Sequence, residues 1–109
     1  MRVNIEVTGE EVTAYISGEI DHHNAGGLRE EIDAAVERAY PERLILDMGG
    51  VTFMDSSGIG LIIGRWKLMQ TLSGELRVAN APDYIKKVMR VAGLEGLCKK
   101  NRTGAVTAQ

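Results

Sequence analysis

Cysteine is almost absent from this chain. Cys98 is the only one in 109 residues, so neither a disulfide framework nor a cysteine-built zinc site can form within one copy. A lone thiol fits a reducing compartment, and the expected location is cytoplasmic. No basic segment followed by an apolar run opens the chain, so no signal peptide is expected. Long hydrophobic runs are also missing: the stretch from Ile59 to Ile63 is far too short to span a bilayer. With 13 Lys+Arg against 15 Asp+Glu, the chain lacks the basic excess of a dedicated nucleic-acid binder. Only two prolines occur, with no low-complexity segment, repeat or linker, so residues 1–109 read as one domain with a weakly patterned tail over 103–109. A chain of this length buries roughly two-thirds of its unfolded surface, enough for a core without staples.

What is present is periodic. Val3, Ile5 and Val7 alternate with polar residues, Gly9-Glu10 turns, and Val12, Ala14 and Ile16 alternate again, which predicts an antiparallel hairpin. A polar connection follows over Gly18 to Asn24. Leu28, Ile32, Ala35, Val36 and Ala39 then recur at helical spacing, predicting a helix over 25–39 with Asp21 or Asn24 as its N-cap and Pro41 as its stop. Leu44 to Met48 reads as a strand covered on both faces, broken by Gly49-Gly50, with a second extended piece over 51–54. A helix from about Ser57 to Leu72 ends at Gly74, and Leu76 and Val78 mark a strand. Pro82 opens a helix that Gly93 caps, and Leu97 to Asn101 suggests a short last strand. The order β-β-α-β-α-β-α-β predicts an α/β domain with a mixed sheet and packed helices.

The helix after Asp55-Ser56-Ser57-Gly58 has two apolar sides. Ile59, Ile62, Ile63, Trp66 and Met69 fall in one arc, which should cover the sheet with Trp66 in the core. Leu61, Leu68 and Leu72 fall nearly opposite, beside Ser57 and Gly64. That second stripe either packs on the following helix or, around Ser57 and Leu61, offers a docking surface. One of the two serines is expected to cap the helix. A hydroxyl in the first turn is also reachable by a kinase, and Gly58 and Gly60 leave the neighbouring backbone open. Phosphate there would suit the helix dipole while adding about −1.5 to −2 charges beside Asp55.

At these residues a family resemblance emerges. Gly18-Glu19-Ile20-Asp21-His22-His23-Asn24-Ala25, together with Phe53-Met54-Asp55-Ser56-Ser57-Gly58-Ile59-Gly60 and Gly64-Arg65, resembles the STAS-domain anti-sigma factor antagonists, closest to the sporulation branch of the sigma-F switch. The likeness runs from about Val3 to Arg102. It implies a STAS-like fold and a regulatory module without enzymatic activity or cofactor. By that resemblance the unphosphorylated protein binds an anti-sigma factor that is also a serine kinase, freeing the sigma factor. Phosphorylation of Ser57 releases it, and a PP2C-type phosphatase restores it. Asp21, Asp55, Ser56, Gly58, Gly60 and Leu61 are the expected partner-binding residues around Ser57, on a protein monomeric when free. A STAS module of a stress pathway is the alternative within the family. Members carry a further helix where this sequence stops, so contacts of that helix are not carried over.

Other chemistries fit less well. A nucleophile elbow needs glycine two residues either side of the serine, which neither Ser56 nor Ser57 has. Gly58, Gly60 and Gly64 miss the dinucleotide fingerprint by one position, and no Gly-Lys-Ser/Thr follows, leaving nucleotide or anion binding at this helix start as a second reading. His22 and His23 beside Asp21 find no further ligand cluster and read as surface or capping residues. Charge is divided along the chain: residues 1–60 hold 12 acidic and 4 basic residues, and residues 61–109 hold 3 and 9. Glu19, Asp21 and Asp55 are expected to form an acidic side with Ser57, suited to a basic partner.

Overall fold

The computed structural model describes residues 2–98. The alternating segments form strands β1 (Arg2–Thr8) and β2 (Glu11–Ile20), paired antiparallel through a turn in which Gly9 takes a φ of +61°. Helix α1 occupies Ala25–Ala39, and Tyr40 closes it in the left-handed region, its N–H donating to the Val36 carbonyl. Strand β3 (Arg43–Met54), helix α2 (Ser56–Thr71), strand β4 (Glu75–Ala79) and helix α3 (Asp83–Val91) follow, then a 3₁₀ turn over Glu95–Cys98. The sheet order is β1-β2-β3-β4, with β2, β3 and β4 mutually parallel as helical crossovers require. Among the described residues no helix is long and apolar enough to cross a membrane.

The strand expected over Leu97 to Asn101 is corrected for its first two residues. Leu97 and Cys98 belong to the 3₁₀ turn, and the remainder lies outside the described residues. Pro82 sits at the N-cap of α3 rather than at its first helical position. Gly93, at φ +80°, ends that helix: its N–H reaches Arg90 and the Leu94 N–H reaches Met89, the paired bonds of a Schellman closure.

Side chains of one sheet face make the core. The rows Val12–Leu44–Leu76 and Ala14–Leu46–Val78 are buried beneath Leu28, Ile32 and Val36 of α1, Ile62 and Met69 of α2, and Ile85 and Met89 of α3. The other face is open, because Ile45, Asp47 and Arg77 are only half-buried. The expectation of a doubly covered β3 is therefore wrong. Its apolar run alternates Leu44, Leu46 and Met48 inward, and Ile45 outward.

Gly49-Gly50 does not break β3 either. The strand runs through it with two register shifts against β2: Tyr15 faces Asp47, Ser17 faces Gly50, and Ile20 faces Met54. Each shift inserts one extra residue on the β3 side, a β-bulge. At the first bulge, a Cβ on Gly50 would stand 2.7 Å from the Ser17 Cβ, closer than two carbons pack. Asp47 anchors the same bulge, accepting the Gly49 N–H at 3.0 Å and the Asn80 side-chain amide at 2.8 Å. These two insertions decide which residues emerge together at the end of the sheet.

Candidate functional site

Parallel strands bring their C-terminal ends to one edge, and the residues just beyond them become neighbours. Because Ile20 and Met54 are paired, Asp21 and Asp55 leave the sheet side by side, tied by an Asp55 N–H to Ile20 carbonyl bond of 3.1 Å. Both carboxylates are about one-quarter to one-third exposed, at 27% for Asp21 and 31% for Asp55. The Asp21 loop is held locally. Its Oδ1 accepts the N–H groups of His23 and Asn24, while Asn24 accepts the Asp21 N–H and donates to the Glu19 carbonyl. Asn24 stands at the N-cap of α1 but makes no side-chain bond to the helix, so its polar atoms serve the loop instead.

Asp55, not either serine, caps α2: its Oδ1 accepts the Ser57 N–H at 2.7 Å. This corrects the capping role expected for Ser56 or Ser57 and leaves both hydroxyls outside the cap. Ser56 is exposed and Ser57 half-buried, so the acidic loop and the two serines share one end of the molecule. His22 and His23 are exposed. The His22 ring lies 3.9 Å from Asp55 and 4.1 Å, centroid to centroid, from His23. Among the described residues no group of three ligating side chains could hold a metal ion.

Ser57 lies on the wall of a groove of about 350 Å³ between the starts of α1 and α2. Ala25, Gly26 and Arg29 line it from α1, and Gly60, Leu61, Gly64 and Arg65 from α2. The two flanking glycines differ from the one between them and the sheet. Gly60 and Gly64 have open space where a Cβ would go. Gly58 is buried, and a Cβ there would overlap the Met54 side chain and touch Ile20. Gly58 thus seats α2 on the strand ends rather than opening the backbone to a partner. Gly58→Ala should lower the unfolding free energy by about 1–3 kcal/mol through overpacking. Gly60→Ala should raise it by about 0.5–1 kcal/mol, as alanine is the better helix former. Urea denaturation of both variants checks the contrast; equal effects would refute it.

Helix α2 buries a face that its apolar stripes do not mark. Gly58, Leu61, Ile62, Arg65 and Met69 point inward, an arc centred between the two stripes, and Trp66 is 40% exposed. Trp66 is therefore not core, contrary to expectation. Leu61 is only 4% exposed and packs in the core, so it floors the groove instead of projecting from it.

Arg65, marked in the sequence only as part of the family motif, is a buried cation paired across the helices. Its side chain is 8% exposed and its Nε lies 2.8 Å from the Asp33 carboxylate of α1. The distance is that of an ion pair, but the angles leave both atoms without a well-aligned hydrogen bond. Nη1 approaches the Leu61 carbonyl at 3.4 Å. Burial pushes the Arg65 pKa below its ordinary value, Asp33 opposes that shift, and nearby Arg29 adds to it. Arg29 is half-exposed and contacts Glu30 only loosely, at 4.0 Å.

A mixed sheet with helices on one face thus presents a serine at the first turn of a crossover helix, beside two strand-end carboxylates. The chain belongs to the STAS domain family, whose profile matches residues 2–104. It is 37% identical over 79 residues to the anti-sigma F factor antagonist of Paenibacillus polymyxa, covering 72% of this chain and 68% of that one. The solved structure of the anti-sigma factor antagonist SpoIIAA in its unphosphorylated form superposes with a TM-score of 0.80 at 26% identity, covering 97% of this chain and all of the other. The phosphorylated form of the Bacillus cell fate determinant SpoIIAA gives 0.72 at 28%, over 94% of this chain and 96% of that one.

Proposed function

We propose that this protein is an anti-sigma factor antagonist working by reversible phosphorylation of Ser57. Unphosphorylated, it binds an anti-sigma factor that is also a serine kinase and so frees the sigma factor. The kinase transfers the γ-phosphoryl group of ATP to the Ser57 hydroxyl; ADP leaves, and the hydroxyl proton passes to a base on the kinase. A PP2C-type phosphatase reverses the modification. The protein supplies substrate and surface, and the magnesium and base belong to the partner. The observation that carries this reading is the placement of Ser57: in the first turn of α2, outside the cap, half-exposed at a groove edged by Gly60 and Gly64. Asp21 and Asp55 supply the acidic side that a basic partner recognises, with Ser56 exposed beside them.

The test mixes the purified protein with a candidate anti-sigma factor kinase from the same organism, and ATP. Mass spectrometry should place phosphate on Ser57. Ser57→Ala should remain bound, whereas Ser57→Asp should bind at least about 100-fold more weakly, because like-charge juxtaposition at an interface costs several kcal/mol. Phosphate on neither serine would end the proposal, and phosphate on Ser56 alone would move it by one residue.

A further inference from the structure

We propose that the groove between α1 and α2 is a pocket for the protein's own phosphoserine, in which the phosphate on Ser57 is held by the Arg29 guanidinium with Arg65 behind it. The inference rests on Ser57 being the modified residue. Three observations carry it. First, the groove is large enough: about 350 Å³ equals roughly twelve waters at about 30 Å³ each, so a phosphate and part of its hydration shell fit. Second, its lining is cationic, with two arginines and no carboxylate among the residues that edge it. Asp33, which is not among those residues, lies 2.8 Å from Arg65 and offsets part of its charge, and Glu30 touches Arg29 only at 4.0 Å between exposed side chains, so Arg29 is the cation least answered. A guanidinium matches phosphate oxygens in a two-pronged geometry. Third, Arg65 is nine-tenths buried and its Nε, though 2.8 Å from Asp33, makes no aligned hydrogen bond, so the ion pair leaves its hydrogen-bonding capacity only partly used beside the groove.

The choice of side is electrostatic. The Ser57 backbone is fixed by its N–H bond to Asp55, so only side-chain torsions remain to place a phosphate. On one side lies the Asp55 carboxylate, with Asp21 beyond it; on the other lie Arg29 and Arg65. A group carrying about −1.5 to −2 charges is repelled by the first and drawn to the second. The acidic neighbourhood read from sequence is therefore only half of the surroundings of Ser57. Phosphorylation then fills the open space beside Gly60 and Gly64, and a partner needing that space is excluded by volume as well as charge.

The test installs phosphoserine at position 57 during translation and follows its second ionisation by ³¹P NMR. In the intact protein that pKa should lie about 0.5 below the value in Arg29→Gln, since a neighbouring cation favours the dianion and partial exposure weakens it. Arg29→Lys should recover part of the difference. Arg38→Gln, which removes an equal charge from the last turn of α1, should leave the value unchanged. His22, 3.9 Å from Asp55, and the charged groups of Asp33, Asp55 and Arg65 lie around the site, so the quantity read is the difference between variants. In the native sequence, phosphorylation should also move the Arg29 side-chain N–H resonance, a measurement that needs no variant. The proposal is overturned if Arg29→Gln matches native, if Arg38→Gln acts like Arg29→Gln, or if the Arg29 resonance stays still. The phosphate is placed without a kinase, so a failed kinase assay overturns the proposed function, whereas a flat titration overturns the groove.

Discussion

Truncating Leu61 to alanine is expected to destabilise the domain by about 3 kcal/mol, within the range for buried leucines whose cavity only partly collapses. At 4% exposure Leu61 belongs to the same core as Ile62, Leu28 and Met54. For a domain of this size that loss lowers Tm by roughly 10–20 °C. Thermal unfolding followed by circular dichroism reads it directly. The alternative, that Leu61 is a docking residue, makes the opposite prediction: an unchanged Tm with lost partner binding. The structure favours the core because α2 turns the arc between its stripes inward, and Leu61 lies at one edge of that arc. Below its new Tm, the folded variant should bind the kinase within a few-fold of native, since the walls of the groove remain. A Tm within 2 °C of native would mean that Leu61 is not the floor of the groove.

Segments with a single clean period were legible from sequence. Helix α1 covers Ala25–Ala39 as its spacing predicts, because one apolar stripe faces one sheet and nothing competes with it. The hairpin was legible for the same reason. Strand β3 was not, since bulges are a property of pairing: Gly49-Gly50 reads as a break until Ser17 is placed opposite Gly50. Helix α2 was misread because two stripes flank its buried face, and the residue between them, Arg65, is charged. The available signal was that position, an arginine flanked by apolar residues on both sides of the helix, together with an aspartate on α1. At the site, Asp21, Asp55 and Ser57 were legible as motifs, and the parallel pairing of β2 and β3 gives them their common edge. Arg29 was not, because its relation to Ser57 exists only once α1 and α2 lie side by side.

Asp33 is where stability and the switch should meet. Asp33→Asn is expected to cost about 2–4 kcal/mol, because it leaves the Arg65 cation, 8% exposed, without its carboxylate. The 26% exposure of Asp33 keeps the figure below that of a fully buried pair, since water screens the lost interaction. Arg65→Met should cost less, since the partly exposed aspartate can hydrate while methionine fills the space. In the double variant Asp33→Asn/Arg65→Met the penalty of the first change should largely disappear, giving a coupling of about 2 kcal/mol in a urea-denaturation cycle. Additive single effects would show that Arg65 does not depend on Asp33. Function should respond in a direction of its own. Removing the Asp33 charge leaves the groove more cationic, so the second ionisation of phosphoserine 57 should fall in Asp33→Asn, opposite in sign to its rise in Arg29→Gln. A mere loosening of the fold would expose the phosphate to water and raise that ionisation in both variants. The sign of the shift in Asp33→Asn therefore separates an electrostatic pocket around Ser57 from a general dependence on stability.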